Sequence, residues 1–482
     1  MANLITVNGL TDDEQRQLDK LLNKLSKFEF SNKTKEAYYE GEQRVAQLGI
    51  SIPPKVLSSI RTVVGWSGTA VDVLEERLDW LGWVESGSDY GLSEIFSAND
   101  LDVDAGLAHL DSLIYGISFA CVGTGADGEP DQLITVESPR NMTGEWDART
   151  RRLSSAAIRY VDPETGTNIG ATLYLPDRTI FVERPNEGVT WTVVNRDDHN
   201  LGRVPVAPLV NRPRASRVIG RSEISHAVRG YTDAAVRTLL GMEVNREFYS
   251  APQRWAVGVS EEMFKKADGG TLTGWEAIMG KFLVAPFDED NPEATPSVGQ
   301  FAQSQPGPYL EQVRGLAQML AAECAIPPTY LGFATDQAAS ADAIRAMESR
   351  LVKRAERRQV VFGKAWLEVA RLVLLIREGN VPKGFDTEVA VRWRDAATPT
   401  RSAAADEATK LVGAGILPPD SQVTYDRIGL TDVEVAQVEK DKRKARLVEV
   451  LNQRTQPTTP GTAQSPSTGQ PGGNTAVPQG KA

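Results

Sequence analysis

Three features of the sequence predict an α+β fold. Toward both ends of the chain, apolar residues recur every three or four positions over long stretches, the period of a helix that buries one face. Between Ile117 and Val210 the pattern changes to short β-branched runs separated by turn residues, which reads as strands. From Pro308 to Glu378 the chain reads as a helix, a break and a much longer helix.

The elements follow in order. Thr11-Asp-Asp-Glu14 is a capping box that opens a helix to about Leu25. Further helices are expected from Lys33 to Leu48, ended by Gly49, and from Pro54 to about Leu81, where Gly65, Trp66 and Gly68 mark a kink or a second start. Another covers Val103 to Tyr115. The strand runs are Phe119 to Val122, Leu133 to Glu137, Ala156 to Val161, Ala171 to Leu175, Thr179 to Glu183, Thr190 to Val194 and Val204 to Val210. They lie too close together for parallel crossovers, so an antiparallel β meander is predicted. Helix returns near Arg221 and runs to about Tyr249, with Ile224, Val228, Tyr231, Ala235, Leu239 and Met242 on one face. A small mixed insert follows from Pro252 to Pro306, with a strand-like Phe282-Leu-Val-Ala285.

The next helix buries Tyr309, Val313, Leu316, Leu320 and Cys324 and must stop at Ile326-Pro327-Pro328, because proline cannot donate to the helical ladder and disfavours helix in the residue before it. Small residues follow, from Gly332 to Ser340. Ile344, Met347, Leu351, Ala355, Phe362, Trp366, Val369, Val373 and Ile376 then trace one stripe along a helix roughly 55 Å long. A strand at Val389 to Trp393 precedes short helices at Thr400 to Val412 and Pro418 to Ile428. A last helix is opened by the capping box Thr431-Asp-Val-Glu434. From Gln453 the chain is rich in Pro, Thr, Gly and Gln without periodicity, which predicts disorder.

Motifs for chemistry are mostly missing. Gly123-Thr-Gly125-Ala-Asp-Gly128 fits a dinucleotide fingerprint, yet Glu129-Pro130-Asp131 and another strand follow it instead of a helix, so it reads as a hairpin loop. The sequence contains no G-x-x-x-x-G-K-[ST], H-E-x-x-H or C-x-x-C pattern. Gly65-Trp-Ser67-Gly68 is one residue short of a nucleophile elbow and sits in helical context. His109, His199 and His226 are far apart in sequence and read as helix-surface or loop residues. Cys121 and Cys324 read as buried small hydrophobes. No catalytic residue, cofactor or metal is therefore expected.

A net charge of −11 argues against a protein built to grip nucleic acid tightly, and acidic walls suit one that lets DNA slide past. No run of about 18 uncharged apolar residues is present, so no membrane span is expected. The start lacks a signal-peptide pattern, so the protein is expected to stay where it is made. One basic cluster, Arg345, Arg350, Lys353, Arg354, Arg357, Arg358 and Lys364, lies on the long helix. It reads either as a solvated face paired with Glu348 and Glu356, or as an electropositive band that meets a phosphate backbone or an acidic neighbouring subunit.

The order of these parts resembles the portal proteins of long-tailed bacteriophages. Several stretches are similar to portals of phages that infect actinobacteria: Tyr38-Tyr-Glu-Gly-Glu-Gln43, Gly68-Thr-Ala-Val-Asp-Val-Leu-Glu-Glu-Arg77, Glu137-Ser-Pro-Arg-Asn-Met142, Val236-Arg-Thr-Leu-Leu-Gly-Met-Glu-Val-Asn-Arg246, Ser340-Ala-Asp-Ala-Ile-Arg345 and Val391-Arg-Trp-Arg-Asp395. The resemblance runs from about residue 30 to 450. It implies a ring of twelve subunits at one capsid vertex of the virion, assembled in the host cytoplasm, through which double-stranded DNA enters and leaves without specific contacts. Its implied partners are the terminase large subunit, the head-tail adaptor, the major capsid protein and any scaffolding protein.

The implied subdomains are an N-terminal helical and β wing (1–215), a first stem helix (216–251), a small mixed clip (252–306), a second stem helix (307–330), a tunnel loop (331–342), the long wing helix with its return strand (343–397), a helical crown (398–452) and a disordered tail (453–482). Thr335, Asp336, Gln337, Ser340 and Asp342 would line the channel. Arg254, Trp255 and Trp275 are either the clip's own small core or its docking surface. Arg350, Lys353, Arg354, Arg357 and Arg358 would face DNA or a neighbouring subunit. Another virion structural subunit, or an enzyme that processes nucleic acid, are the alternatives.

Overall fold

The computed structural model describes residues 6–43, 62–184, 190–249, 254–257, 297–300, 305–332, 341–397 and 401–455. Two compact units divide the chain, Met1–Thr398 and Pro399–Ala482.

In the larger unit the first helix, α1 (Asp12–Tyr39), opens on the expected capping box: Thr11 Oγ1 accepts from the Glu14 amide, and the Glu14 carboxylate accepts from the Thr11 amide. It does not stop near Leu25. The residues from Ser26 to Asn32 contain no Gly or Pro, so the first two predicted helices fuse into one of 28 residues. The end predicted at Gly49 lies outside the described residues. The helix predicted to reach Leu81 is also corrected. α2 spans Trp66–Glu75 with Gly65 at its N-cap, the second start the glycines marked, and Trp80–Glu85 forms strand β2. That strand pairs antiparallel with Val389–Trp393, some 300 residues later, which no local pattern announces. α3 (Leu92–Ala98), absent from the reading, precedes α4 (Leu101–Tyr115).

The strand region forms two sheets rather than one meander. β3 (Ile117–Thr124) lies between β4 (Gln132–Glu137) and β10 (Val206–Val210). The six-stranded sheet contains β5 (Met142–Trp146), β6 (Leu153–Val161), β7 (Asn168–Tyr174), β8 (Thr179–Glu183) and β9 (Trp191–Asp197), consecutive neighbours antiparallel, and β1 (Val7–Asn8), which adds parallel to β9. The reading missed β5, whose Asn-Met-Thr-Gly start carries little β signal. The glycine-rich 123–128 segment joins the antiparallel pair β3 and β4, as a hairpin loop should.

α1 lays Leu18 and Leu21 against Leu173, Ile180, Val182 and Trp191 of the larger sheet. Glu14 at its start is pulled down to about 2, first by the hydrogen bond from Arg196, so the cap also fastens helix to sheet. The main core joins α2, β2, α4, β3 and β10 to the later helices α5 (His226–Tyr249), α6 (Gly307–Cys324) and α7 (Ala341–Glu378). α5 begins five residues beyond the expected Arg221.

The smaller unit contains α9 (Arg401–Gly413), α10 (Gln422–Ile428) and α11 (Asp432–Thr455), with α8 (Phe385–Glu388) preceding β13 (Val389–Trp393) in the larger. Ser421 caps α10, and Thr431 with Glu434 forms the second capping box. Ala404, Ala408, Tyr425 and Val435 are its buried apolar residues.

Candidate functional site

The parts that could line or brace a channel start from α5 and α6. Ala235 and Val236 pack with Leu316, while Gly241, further along α5, faces Tyr309 near the start of α6, so the two helices run antiparallel. Between the two helices in the chain, β11 (Arg254–Val257) pairs antiparallel with β12 (Ser297–Gln300). Arg254 and Trp255 lie on β11; Trp275 and the strand-like 282–285 stretch lie outside the described residues.

α6 ends where the prolines require. Ala325 caps it in the left-handed region at φ 54°, and Pro328–Leu331 makes one tight 3-10 turn. Gly332 then takes φ 88°, a conformation that favours glycine. Thr335, Asp336, Gln337 and Ser340 fall outside the described residues, and Asp342 lies in the first turn of α7. The two flanks of that segment are tied together. Tyr330 donates its hydroxyl proton to Glu348 of α7, and the buried Arg77 reaches both, 3.4 Å from each, while donating to the Ala396 carbonyl at 2.7 Å.

α7 is 38 residues long, about 57 Å at 1.5 Å per residue. Leu351, Ala355, Phe362, Trp366, Val369 and Val373 of the predicted stripe are fully buried, whereas Met347 is exposed. Trp366 stacks on Trp80 at 4.2 Å and 14°, and its indole N–H donates to His109 Nε2 at 3.0 Å. His109 is therefore a core residue and not the surface residue expected; burial holds its pKa down at about 3. Its ring stacks on Phe362. The signal available was its place on the apolar side of α4, one residue from Ala108. Both cysteines are buried and free, as the sequence implied.

The basic band on α7 divides. Arg358 is only 6% exposed and Glu223 only 5%. Arg358 Nη2 lies 2.5 Å and Arg354 Nη2 2.6 Å from the two Glu223 oxygens, and Asn211 bonds both Glu223 and Arg358. Burial alone would raise the Glu223 pKa, but the pull of Arg354 and Arg358 brings it down to about 2. These two arginines thus lock α7 to the segment between β10 and α5. Arg350, Lys353 and Arg357 remain exposed, with Lys353 paired to Glu356 at 2.6 Å. Sequence reading missed Arg77, Asn211 and Glu223, since nothing local marks a residue whose partner lies 130 or more positions away.

Among the described residues no group of three or more His, Cys, Asp and Glu could hold a metal, and no helix is long and apolar enough to cross a membrane. The class these features define is an α+β protein in which an antiparallel helix pair and a long cross-braced helix are carried on a body of helices and two sheets. Residues 32–446 match the family described as phage portal protein, SPP1 Gp6-like. The chain is 35% identical over 406 residues to the portal protein of Mycobacterium phage D29 and 34% identical to that of Mycobacterium phage L5, in each case over 81% of both chains. The protein belongs to this phage portal family. Among solved structures, a chain of the neck of an empty gene transfer agent particle, computed with sixfold symmetry, is similar at 13% identity with a TM-score of 0.39, covering 82% of this chain and 98% of the other. A chain of the native gene transfer agent virion is similar at 13% identity and a TM-score of 0.37, over 84% and 99%.

Proposed function

We propose that the protein is the portal subunit of a virion, forming a closed ring at one capsid vertex through which double-stranded DNA is packaged and ejected. The family match over residues 32–446 is the observation that carries the reading. In it, α5 and α6 are the stem, the β11–β12 region the clip, residues 331–342 the tunnel loop, the body with α7 the wing, and the helices after residue 398 the crown. Antiparallel helices can stand as staves around a channel, and a closed rotation lets one head-to-tail interface complete the ring. Twelve subunits of net charge −11 would carry about −130, a field that resists adsorption of DNA. Terminase and the head-tail adaptor would dock on the clip, where Arg254, Trp255 and Trp275 are the candidate contacts.

Electron microscopy of the purified protein tests the ring, and monomers at every salt and protein concentration would reject it. The channel assignment is tested by Asp336→Lys with Asp342→Lys. In a ring of twelve, up to about 24 new positive charges would then face the polyanion, and in vitro packaging should slow in a salt-sensitive way while rings persist. Packaging at the parental rate at low and high salt would show that these side chains do not face DNA. Deleting residues 260–270 should leave rings intact and abolish packaging if the clip is the docking surface.

A further inference from the structure

Two patches of opposite charge flank α7, a basic one beside the helix and an acidic one on α2 and α4. On one side, a groove of about 600 Å³ runs between the segment after β10 and α7, lined by Arg212, Arg214, Arg221, Lys353, Arg357 and the 63% exposed Val360. Its one acidic lining residue, Glu356, is held by Lys353, Arg212 lies 3.5 Å from Glu223, and Arg357 has no ionic partner among the described residues. The segment is set by its backbone. Arg214 and Arg217 bridge to each other, and Gly220 sits at φ 66° where a Cβ would lie 2.3 Å from the Gly116 carbonyl oxygen and 2.4 Å from that of Asn211. The arginines are therefore displayed on a fixed turn.

Glu348, Gln359 and Trp366 lie about 180° around the helix from Arg357. Gln359 donates to the carbonyls of Arg77 and Arg394, and Trp366 to His109 of α4, so α4 and the end of α2 sit on that opposite side. There the end of α2 and the turn after it, with Asp72, Glu75, Glu76 and Asp79, lie beside α4: Glu75 Oε1 is 3.5 Å from the Cβ position of Gly106, one turn along α4 from Asp102. Val103 and Leu107 stand exposed beside them, 61% and 56%. Asp72 accepts from Tyr39 and Asp79 pairs with Arg394, but no cation pairs with Glu75, Glu76 or Asp102 among the described residues. Burial first, then the charges of Asp79, Asp72 and Glu76, push the Glu75 carboxyl up to about 7, so it is the exposed Glu76 and Asp102 that carry the unpaired negative charge of this face.

We infer that the basic groove beside α7 receives the acidic α2–α4 face of a second copy of this chain, with Val360 meeting Val103 and Leu107 at the centre of the contact. Two different patches on opposite flanks make a head-to-tail interface, the kind that closes a ring. The inference rests on the ring reading and assigns the surfaces that make it. Charge complementarity favours a copy of an acidic chain over a phosphate backbone, which would meet only the basic side.

The test uses the full chain in three variants: Lys353→Glu with Arg357→Glu, Glu76→Lys with Asp102→Lys, and all four together. All four side chains are exposed. Each pair alone should raise the protein concentration needed for assembly by about tenfold or more at low salt, and the fourfold variant should restore it, because each reversed patch then meets a reversed partner. Rings undiminished in both paired variants overturn the assignment while leaving the ring reading intact, as does failure of the fourfold variant to recover. Absence of rings in the parental protein overturns the ring reading itself. Binding of a DNA oligonucleotide lost with Lys353→Glu and Arg357→Glu, without any change in assembly, assigns the groove to phosphate instead.

Discussion

Replacing Glu223 by Gln keeps the shape of the side chain and removes the charge shared by the buried Arg358 and the half-buried Arg354, with Arg212 3.5 Å away. Against burial, the pull of Arg354 and Arg358 holds the Glu223 carboxyl down at about 2, so the fold prefers its charged form. Breaking a buried pair from one side costs about 3–5 kcal/mol because the partner is left uncompensated. Urea unfolding of the unassembled subunit, followed by the fluorescence of its nine tryptophans, should show Glu223→Gln destabilised by about 3 kcal/mol at pH 7. Arg358→Met combined with it should cost less than the two separately. A carboxylate whose folded pKa is depressed stabilises fully above its unfolded value and loses that contribution as pH falls. The deficit of Glu223→Gln should thus shrink between about pH 4.5 and pH 2. A deficit under about 1 kcal/mol at pH 7, or one unchanged at pH 3, would refute the reasoning.

Three further outcomes are expected. His109 is neutral in the fold down to about pH 3 while the unfolded chain protonates near 6.5, so the parental protein should lose stability as pH falls from 6.5; His109→Phe should flatten that loss, measured by melting at pH 7.5 and pH 5. Glu75 has a folded pKa raised to about 7, so its ionisation works against the fold as pH rises; Glu75→Gln should raise the melting midpoint of the unassembled subunit more at pH 8 than at pH 5. Cys121 and Cys324 are buried, and burial pushes both thiols up, Cys324 to about 12, so neither should be alkylated by iodoacetamide until the protein is unfolded, as mass spectrometry would read.

What could be read from the sequence was what is encoded locally. Thr11 with Glu14 and Thr431 with Glu434 announced helix starts, Pro327-Pro328 announced a stop, and the period from Leu351 to Val373 announced the long buried stripe. What stayed hidden depends on distant partners. Trp80 to Glu85 is a strand because Val389 to Trp393 lies beside it. Arg358 reads as one of several surface cations until Glu223 is placed under it, and His109 as a polar helix residue until Trp366 aims an indole proton at it. The basic cluster that looked uniform was two populations, separated by burial alone.

The clamp of Tyr330, Glu348 and Arg77 has a mechanical consequence. It fastens Tyr330, in the tight turn that follows α6, to Glu348 in the second turn of α7, and Arg77 ties both to the Ala396 carbonyl. A thrust along α7 is therefore passed to the end of α6 through three side chains and not through the chain that joins them. The joint works as a hinge pin set in the body, so Arg77→Ala should let the two helices shift against each other while each stays folded.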